Sequence, residues 1–327
     1  MTSRRAPLHA SDRRRFAPVF VLTAPRSYSS VITSMLGQHP NLLGLPELKL
    51  FLYPTIGELD ASLPAELRRR GVAHRSPGLV RAIAHYVFGD QSSASVREAL
   101  HWLRERADWT GADVLDYLLA LAHPVGIVEK TPETATDSAT LQRLSAAYER
   151  ARYVHLVRHP NTWAGSLHEH WKRTMPMQCV PNPAVMCHTL WLATHQRILH
   201  FAAELPDNRY LRVRAEDVLN DSDHQLRRIA GWLGVRDDAD AVEAMRHPEA
   251  SPFARFGPAG TGVVGGHDHG FLSDPLPRKA TLPPSVEPPA GWTGGHDLWA
   301  NIVGLANEFG YTHADVSQPQ PRGEAAA

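Results

Sequence analysis

Arg26, Ser27, Ser29 and Ser30 fall within one short stretch, Thr23-Ala24-Pro25-Arg26-Ser27-Tyr28-Ser29-Ser30, between an apolar run at 18–23 and a segment of helical periodicity. A guanidinium, several hydroxyls and the first N–H groups of a helix are the donors that a phosphate or sulfate group needs. A strand–loop–helix turn aims them at one point. Tyr28 occupies the tip of that turn. The Gly-x-x-x-x-Gly-Lys-Ser/Thr pattern of nucleoside triphosphatases is missing, so this is not their phosphate loop. Taken by itself, the stretch also fits an ordinary βα turn with a serine cap and a surface arginine.

A second group of donors lies downstream. Arg158 follows the apolar run 152–157, and Ser166 comes eight residues later on a helical segment. An arginine at a strand end offers a forked donor to a phosphomonoester, and a hydroxyl on the next helix adds a further bond. A magnesium-dependent kinase would need an aspartate near such a strand end, where this chain has Arg158. Glu47 stands at the end of the segment that follows the first helix, and Lys130 just after the strand 124–129. The residues also allow Glu47 to be a solvated neighbour of Lys49, and Lys130 to pair with Glu129 or Glu133. His168 and His170, like His267 and His269, form His-x-His pairs. With 19 histidines in the chain such pairs are expected. Their spacing is not the i, i+4 of a helical zinc site, so no metal is expected, while one of them is an alternative to Glu47 as base. Arg278-Lys279 is a further basic pair, readable by itself as solvated charge.

These residues need a scaffold, and the chain is long enough to build one. Its 327 residues are 43% hydrophobic and 21% charged, which excludes a wholly disordered chain. Lys+Arg and Asp+Glu balance at 34 each, which argues against nucleic-acid binding by bulk charge but leaves room for a local basic pocket. Cys179 and Cys187 make no disulfide framework, and no segment approaches the ~20 apolar residues of a membrane span. A cytoplasmic setting with no membrane or nucleic-acid partner is expected. Strands at 18–23, 124–129, 152–157 and 209–214 alternate with helical segments, including 184–205 and 222–233. That order predicts an α/β fold with a central parallel sheet. Residues about 56–122 read as a helical insertion. Residues about 248–292 hold nine of the 26 prolines and seven of the 23 glycines, too many for regular elements, and read as a lid. Residues 1–16 and 313–327 read as a basic disordered tail and a flexible tail around one domain over 17–312.

The chain resembles sulfotransferases that use 3′-phosphoadenosine 5′-phosphosulfate. Residues Pro25 to Ser30 are similar to that family's 5′-phosphosulfate loop, and Val157-Arg158-His159-Pro160 through Ser166 to its 3′-phosphate element. His39-Pro40, Glu129-Lys130-Thr131-Pro132 and Val213-Arg214-Ala215-Glu216-Asp217-Val218 resemble further landmarks. Within the family, Pro46-Glu47-Leu48, the stretch from His155 to Pro160 and that from Gly265 to Leu272 resemble bacterial and polyketide-synthase sulfotransferase domains. Tyr28 departs from the glycine common in the loop, Ala215 from a tyrosine, and Ala280 from the glycine after the basic pair. The resemblance implies a P-loop-like three-layer fold and sulfuryl transfer to an alcohol of a small molecule or carrier-bound hydroxyacyl chain, as in secondary metabolism. It assigns Arg26, Ser27, Tyr28, Ser29 and Ser30 to the 5′-phosphosulfate, and Arg158, Ser166, Arg278 and Lys279 to the 3′-phosphate. Glu47 becomes the base, Lys130 the charge stabiliser beside Arg26, and no metal is needed. A divergent small-molecule kinase and a nucleotide-binding protein without transferase activity are the alternatives.

Overall fold

A computed structural model describes residues 17–311; the two predicted tails lie outside them. The described chain divides into two compact units. One contains the chain up to Val157 together with Thr194–Ala280, the other Arg158–Ala193 and the chain from Thr281 onward.

The first unit is built on five parallel strands, β1 (Val19–Leu22), β2 (Leu42–Gly44), β3 (Gly126–Glu129), β4 (Arg152–Val157) and β5 (Tyr210–Arg214), in the order β2-β3-β1-β4-β5. Val19 pairs with Val128 on one side and with Arg152 on the other, so β1 lies at the centre of the sheet. Alternation along the strands sends side chains to two separate cores. Phe20, Leu22, Ile127 and Tyr153 enter one; Val19, Val21, Val128, Val154 and Leu156 enter the other. Helices must cover both faces, because parallel strands need crossover connections.

Helix α1 (Ser29–Leu36) follows β1 and ends at Gly37. A Cβ on Gly37 would come within 2.3 Å of the Gly44 nitrogen, so only glycine lets α1 end against β2. Between β2 and β3 the chain forms α2 (Ile56–Ala61), α3 (Ala65–Arg69), α4 (Pro77–Phe88), α5 (Ser93–Arg104) and α6 (Gly111–Ala122). Side-chain caps start all of them but α3. Ser76 accepts from the Leu79 N–H, with Pro77 at the first helical position, and Thr110 and Asp113 form a reciprocal capping box. Leu79, Val80 and Ile83 of α4 and Val114, Leu115 and Leu118 of α6 are buried in the first core. Helix α7 (Ser138–Ala147) connects β3 to β4.

Helix α8 (Pro160–Thr174) follows β4, and α9 (Pro183–Ala202) leads towards β5. Helices α10 (Ala215–Asn220), α11 (Ser222–Leu233) and α12 (Ala239–Met245) then cover the second core, where Val218, Leu226, Ile229 and Val242 are buried. The Pro/Gly-rich segment is largely irregular but contains α13 (His269–Ser273), and α14 (His296–Glu308) closes the described chain. In the second unit, Trp191 donates to the Arg158 carbonyl at 2.9 Å and packs on Phe309, while His188 meets Trp292 and Trp299. Among the described residues, no helix is long and apolar enough to cross a membrane.

Candidate active site

Strand β1 is followed by Thr23, whose hydroxyl donates to the Leu156 carbonyl of β4 at 2.7 Å. The loop that follows is tightly held: Ser27 Oγ donates to the Ala24 carbonyl at 2.8 Å and is fully buried. Two of its residues take left-handed conformations, Arg26 at φ 70° and Tyr28 at φ 60°. Positive φ in a side-chain-bearing residue costs roughly 1–2 kcal/mol, so the loop keeps its turn despite the tyrosine. Tyr28 is the N-cap of α1 and makes no side-chain cap. The opening N–H groups of the helix, at the positive end of its dipole, have no cap of that kind.

Five charged or polar side chains converge next to that helix start. Lys130, immediately after β3, is 1% exposed. Its Nζ donates to Glu47 Oε1 at 2.5 Å and to Ser30 Oγ at 3.0 Å. The Asp268 backbone N–H also donates to Ser30 Oγ, at 3.0 Å. With two donors on its oxygen, the Ser30 hydroxyl keeps its own hydrogen to donate elsewhere. Arg26 forms an ion pair with the Asp268 carboxylate. Loop, β3, the segment after β2 and the Gly-rich segment thereby meet at one place.

Glu47 is fixed through its backbone. Its N–H donates to the Gly266 carbonyl at 2.8 Å, and its own carbonyl accepts from Ser76 Oγ at 2.9 Å. A Cβ on Gly78 would come within 2.3 Å of the Glu47 oxygen, so the start of α4 approaches as closely as a glycine permits. The side chain is 22% exposed and therefore reachable. Behind it lies Glu129, fully buried, its Oε1 accepting from Thr131 Oγ1 at 2.6 Å and from the Leu48 N–H at 3.2 Å. Burial pushes the Glu129 carboxyl up to about 7, against the pull of those hydrogen bonds and of Lys130. Lys130 therefore pairs with Glu47, not with Glu129 or Glu133, and it is Lys49 that pairs with Glu133.

His267 is 8% exposed, and burial holds its imidazole well below the usual range, with Lys130 and Arg81 adding to the effect. It is neutral near pH 7, and its Nδ1 has no hydrogen-bond partner among the described residues. His269 is exposed and stacks edge-on with Phe256. Arg158 is buried at the end of β4 and donates to Thr162 Oγ1 at 3.3 Å; Ser166 is half-buried on α8. Both belong to the second unit, as do His168 and His170. Arg278 is exposed and pairs with Asp274, and Lys279 is exposed beside it.

Two contributors escaped the sequence reading. Asp268 lies within the stretch from Gly265 to Leu272, but nothing in that stretch marks a contact with a serine 238 positions away. Arg81, fully buried on α4, donates to the Gln91 side chain at 2.7 Å and to the Gly265 carbonyl at 2.8 Å. Its helical neighbours are apolar, and a lone arginine among them was the one available signal.

The turn after the central strand of the parallel sheet gathers anion donors at the strand's carboxyl end, where ligands bind in such sheets. The sulfotransferase family model matches residues 18–239, and the chain belongs to that family. Among solved structures it is similar to a sulfotransferase domain from the curacin biosynthetic pathway. That likeness has a TM-score of 0.74 at 20% identity, covering 90% of this chain and 98% of that one. It is also similar to the sulfotransferase domain of the olefin synthase of Synechococcus PCC 7002, with a TM-score of 0.63 at 26% identity, covering 93% and 97%. No curated protein matches the sequence.

Proposed function

We propose that the chain transfers a sulfuryl group from 3′-phosphoadenosine 5′-phosphosulfate to an alcohol. The observation that carries this reading is the convergence of Lys130, Glu47 and Ser30 beside the start of α1. Arg26, Ser27, Tyr28, Ser29 and Ser30 form the 5′-phosphosulfate cradle, Tyr28 through its backbone, and Arg158 and Ser166 hold the 3′-phosphate. Arg278 and Lys279 add positive charge at that 3′-phosphate.

Glu47 takes the proton of the acceptor hydroxyl as its oxygen forms a bond to sulfur. The bond from sulfur to the bridging oxygen breaks, and the electron pair stays with adenosine 3′,5′-bisphosphate. Lys130 and Arg26 meet the charge developing on that oxygen. The Lys130–Glu47 pair links the two events: once protonated, Glu47 no longer holds the ammonium, which is then free to follow the leaving oxygen. A sulfuryl group carries less negative charge than a terminal phosphoryl group, so fixed cations do the work given to magnesium in kinases.

The family match over 18–239 supports the reaction class, and likeness to a domain of an olefin synthase supports a biosynthetic acceptor. The acceptor class is an alcohol, on a free small molecule or on a carrier-bound hydroxyacyl chain. Titration calorimetry compares adenosine 3′,5′-bisphosphate with ADP plus magnesium. The bisphosphate is expected to bind, and to bind Arg158→Ala at least about tenfold more weakly. Preference for ADP with magnesium would favour a kinase, and binding without transfer to any alcohol a non-catalytic protein.

A further inference from the structure

Asp268 is an acid in a cradle otherwise composed of anion donors. Its carboxylate pairs with Arg26, its backbone N–H bonds Ser30 Oγ at 3.0 Å, and its Oδ1 accepts from the Gly270 N–H at 3.0 Å, capping α13. The segment is anchored on both sides of it. Arg81 holds the Gly265 carbonyl, and Glu47 donates to the Gly266 carbonyl, with Gly266 at φ 121°. Phe271 and Leu272 are buried against Ala254. Between these anchors the chain delivers a carboxylate to Arg26 and an N–H to Ser30, two residues assigned above to the donor's phosphosulfate.

A carboxylate and a phosphosulfate present the same kind of paired oxygens to a guanidinium. Two anions cannot share that guanidinium without repulsion. We propose that Asp268 sets the affinity for the donor by occupying Arg26 in place of the donor's 5′-phosphosulfate oxygens, and that it must leave Arg26 for the donor to bind. This rests on the donor-site reading above. The competition weakens bisphosphate as well as donor, and so favours product release after transfer.

The test is calorimetric titration of the full-length chain with adenosine 3′,5′-bisphosphate, comparing wild type with Asp268→Asn and Asp268→Ser. Both replacements retain an oxygen to cap α13, and circular dichroism checks that each variant folds. Each is expected to bind about tenfold more tightly than wild type, a gain that general loosening of the site would not produce. Affinities equal to or weaker than wild type, in variants that fold, overturn the role given to Asp268 while leaving the donor site standing. A wild-type chain that binds no bisphosphate overturns the donor site, and this inference with it.

Discussion

Lys130 Nζ lies 2.5 Å from Glu47 Oε1, a contact spanning 83 positions of sequence, and the ammonium is almost completely buried. Because Lys130 also donates to Ser30 Oγ, one buried cation joins Glu47, the loop and the strand end. Removing a partner from such a pair leaves a charge without compensation, so each residue is expected to matter beyond its own chemistry.

Glu47→Gln is expected to lower turnover by at least ~10²-fold while bisphosphate affinity changes little, because the amide accepts no proton but still accepts from Lys130. Lys130→Met is expected to lower turnover by about 10²–10³-fold through lost stabilisation of the leaving oxygen. Steady-state kinetics paired with nucleotide titration checks both. Wild-type turnover in either variant would contradict its role.

The close approach of α4 to Glu47 makes a glycine matter for activity. In Gly78→Ala the new methyl carbon would lie 2.3 Å from the Glu47 carbonyl oxygen, so the backbone at Glu47 must move. Turnover is expected to fall about tenfold or more, with a melting temperature several degrees lower. Gly304→Ala on α14 has no atom within 4 Å of its new methyl, so unchanged turnover and slightly higher stability are expected. Equal effects of the two substitutions would sink this account of how Glu47 is held.

Glu129 has a folded value of about 7 against an ordinary 4.5, so the folded chain binds a proton between those limits. Its contribution to stability is complete below pH 4.5 and lost as pH rises through 7, by at most about 3 kcal/mol. Gln at this position keeps an acceptor for Thr131 and Leu48 but cannot ionise. Urea unfolding from pH 4 to 8 should show that Glu129→Gln lacks this loss and gains on wild type as pH rises. Parallel curves would contradict it.

A buried histidine pair works in the opposite direction. His155 Nε2 and His195 Nδ1 are 2.8 Å apart, and His155 Nδ1 meets the Tyr210 hydroxyl at 2.6 Å. One ring must donate and the other accept, which two imidazolium ions cannot do. Burial depresses both, His195 to about 3. Their stabilisation is present above pH 6.5 and is lost as pH falls towards 3. His195→Gln is therefore expected to flatten the acid limb of the stability curve, read from the same unfolding series. An acid limb as steep as wild type would refute the assignment.

Legibility followed the locality of the signal. β4 is six residues bounded by polar neighbours and α11 is amphipathic with Gly234 after it, so composition and period mark both. β2 has three residues, too few for a period, and exists because β3 pairs with it over Leu42–Gly44. The loop from Arg26 to Ser30 was readable because strand, turn and helix are contiguous. Lys130 was recognisable as a strand-end cation, but its choice of Glu47 over Glu129 or Glu133 depends on tertiary placement. Asp268 and Arg81 reach the site through long-range contacts that no local pattern announces.

The most direct test of sulfuryl transfer supplies donor labelled in its sulfur to the purified chain, in the presence of a metal chelator, with hydroxyacyl-carrier and free alcohol acceptors in parallel. Label is expected to appear on an alcohol oxygen, with one bisphosphate released per sulfate ester formed and transfer about 10²–10³-fold slower in the Lys130→Met variant. Label that reaches no acceptor, or transfer that persists unchanged without Lys130, would contradict the account.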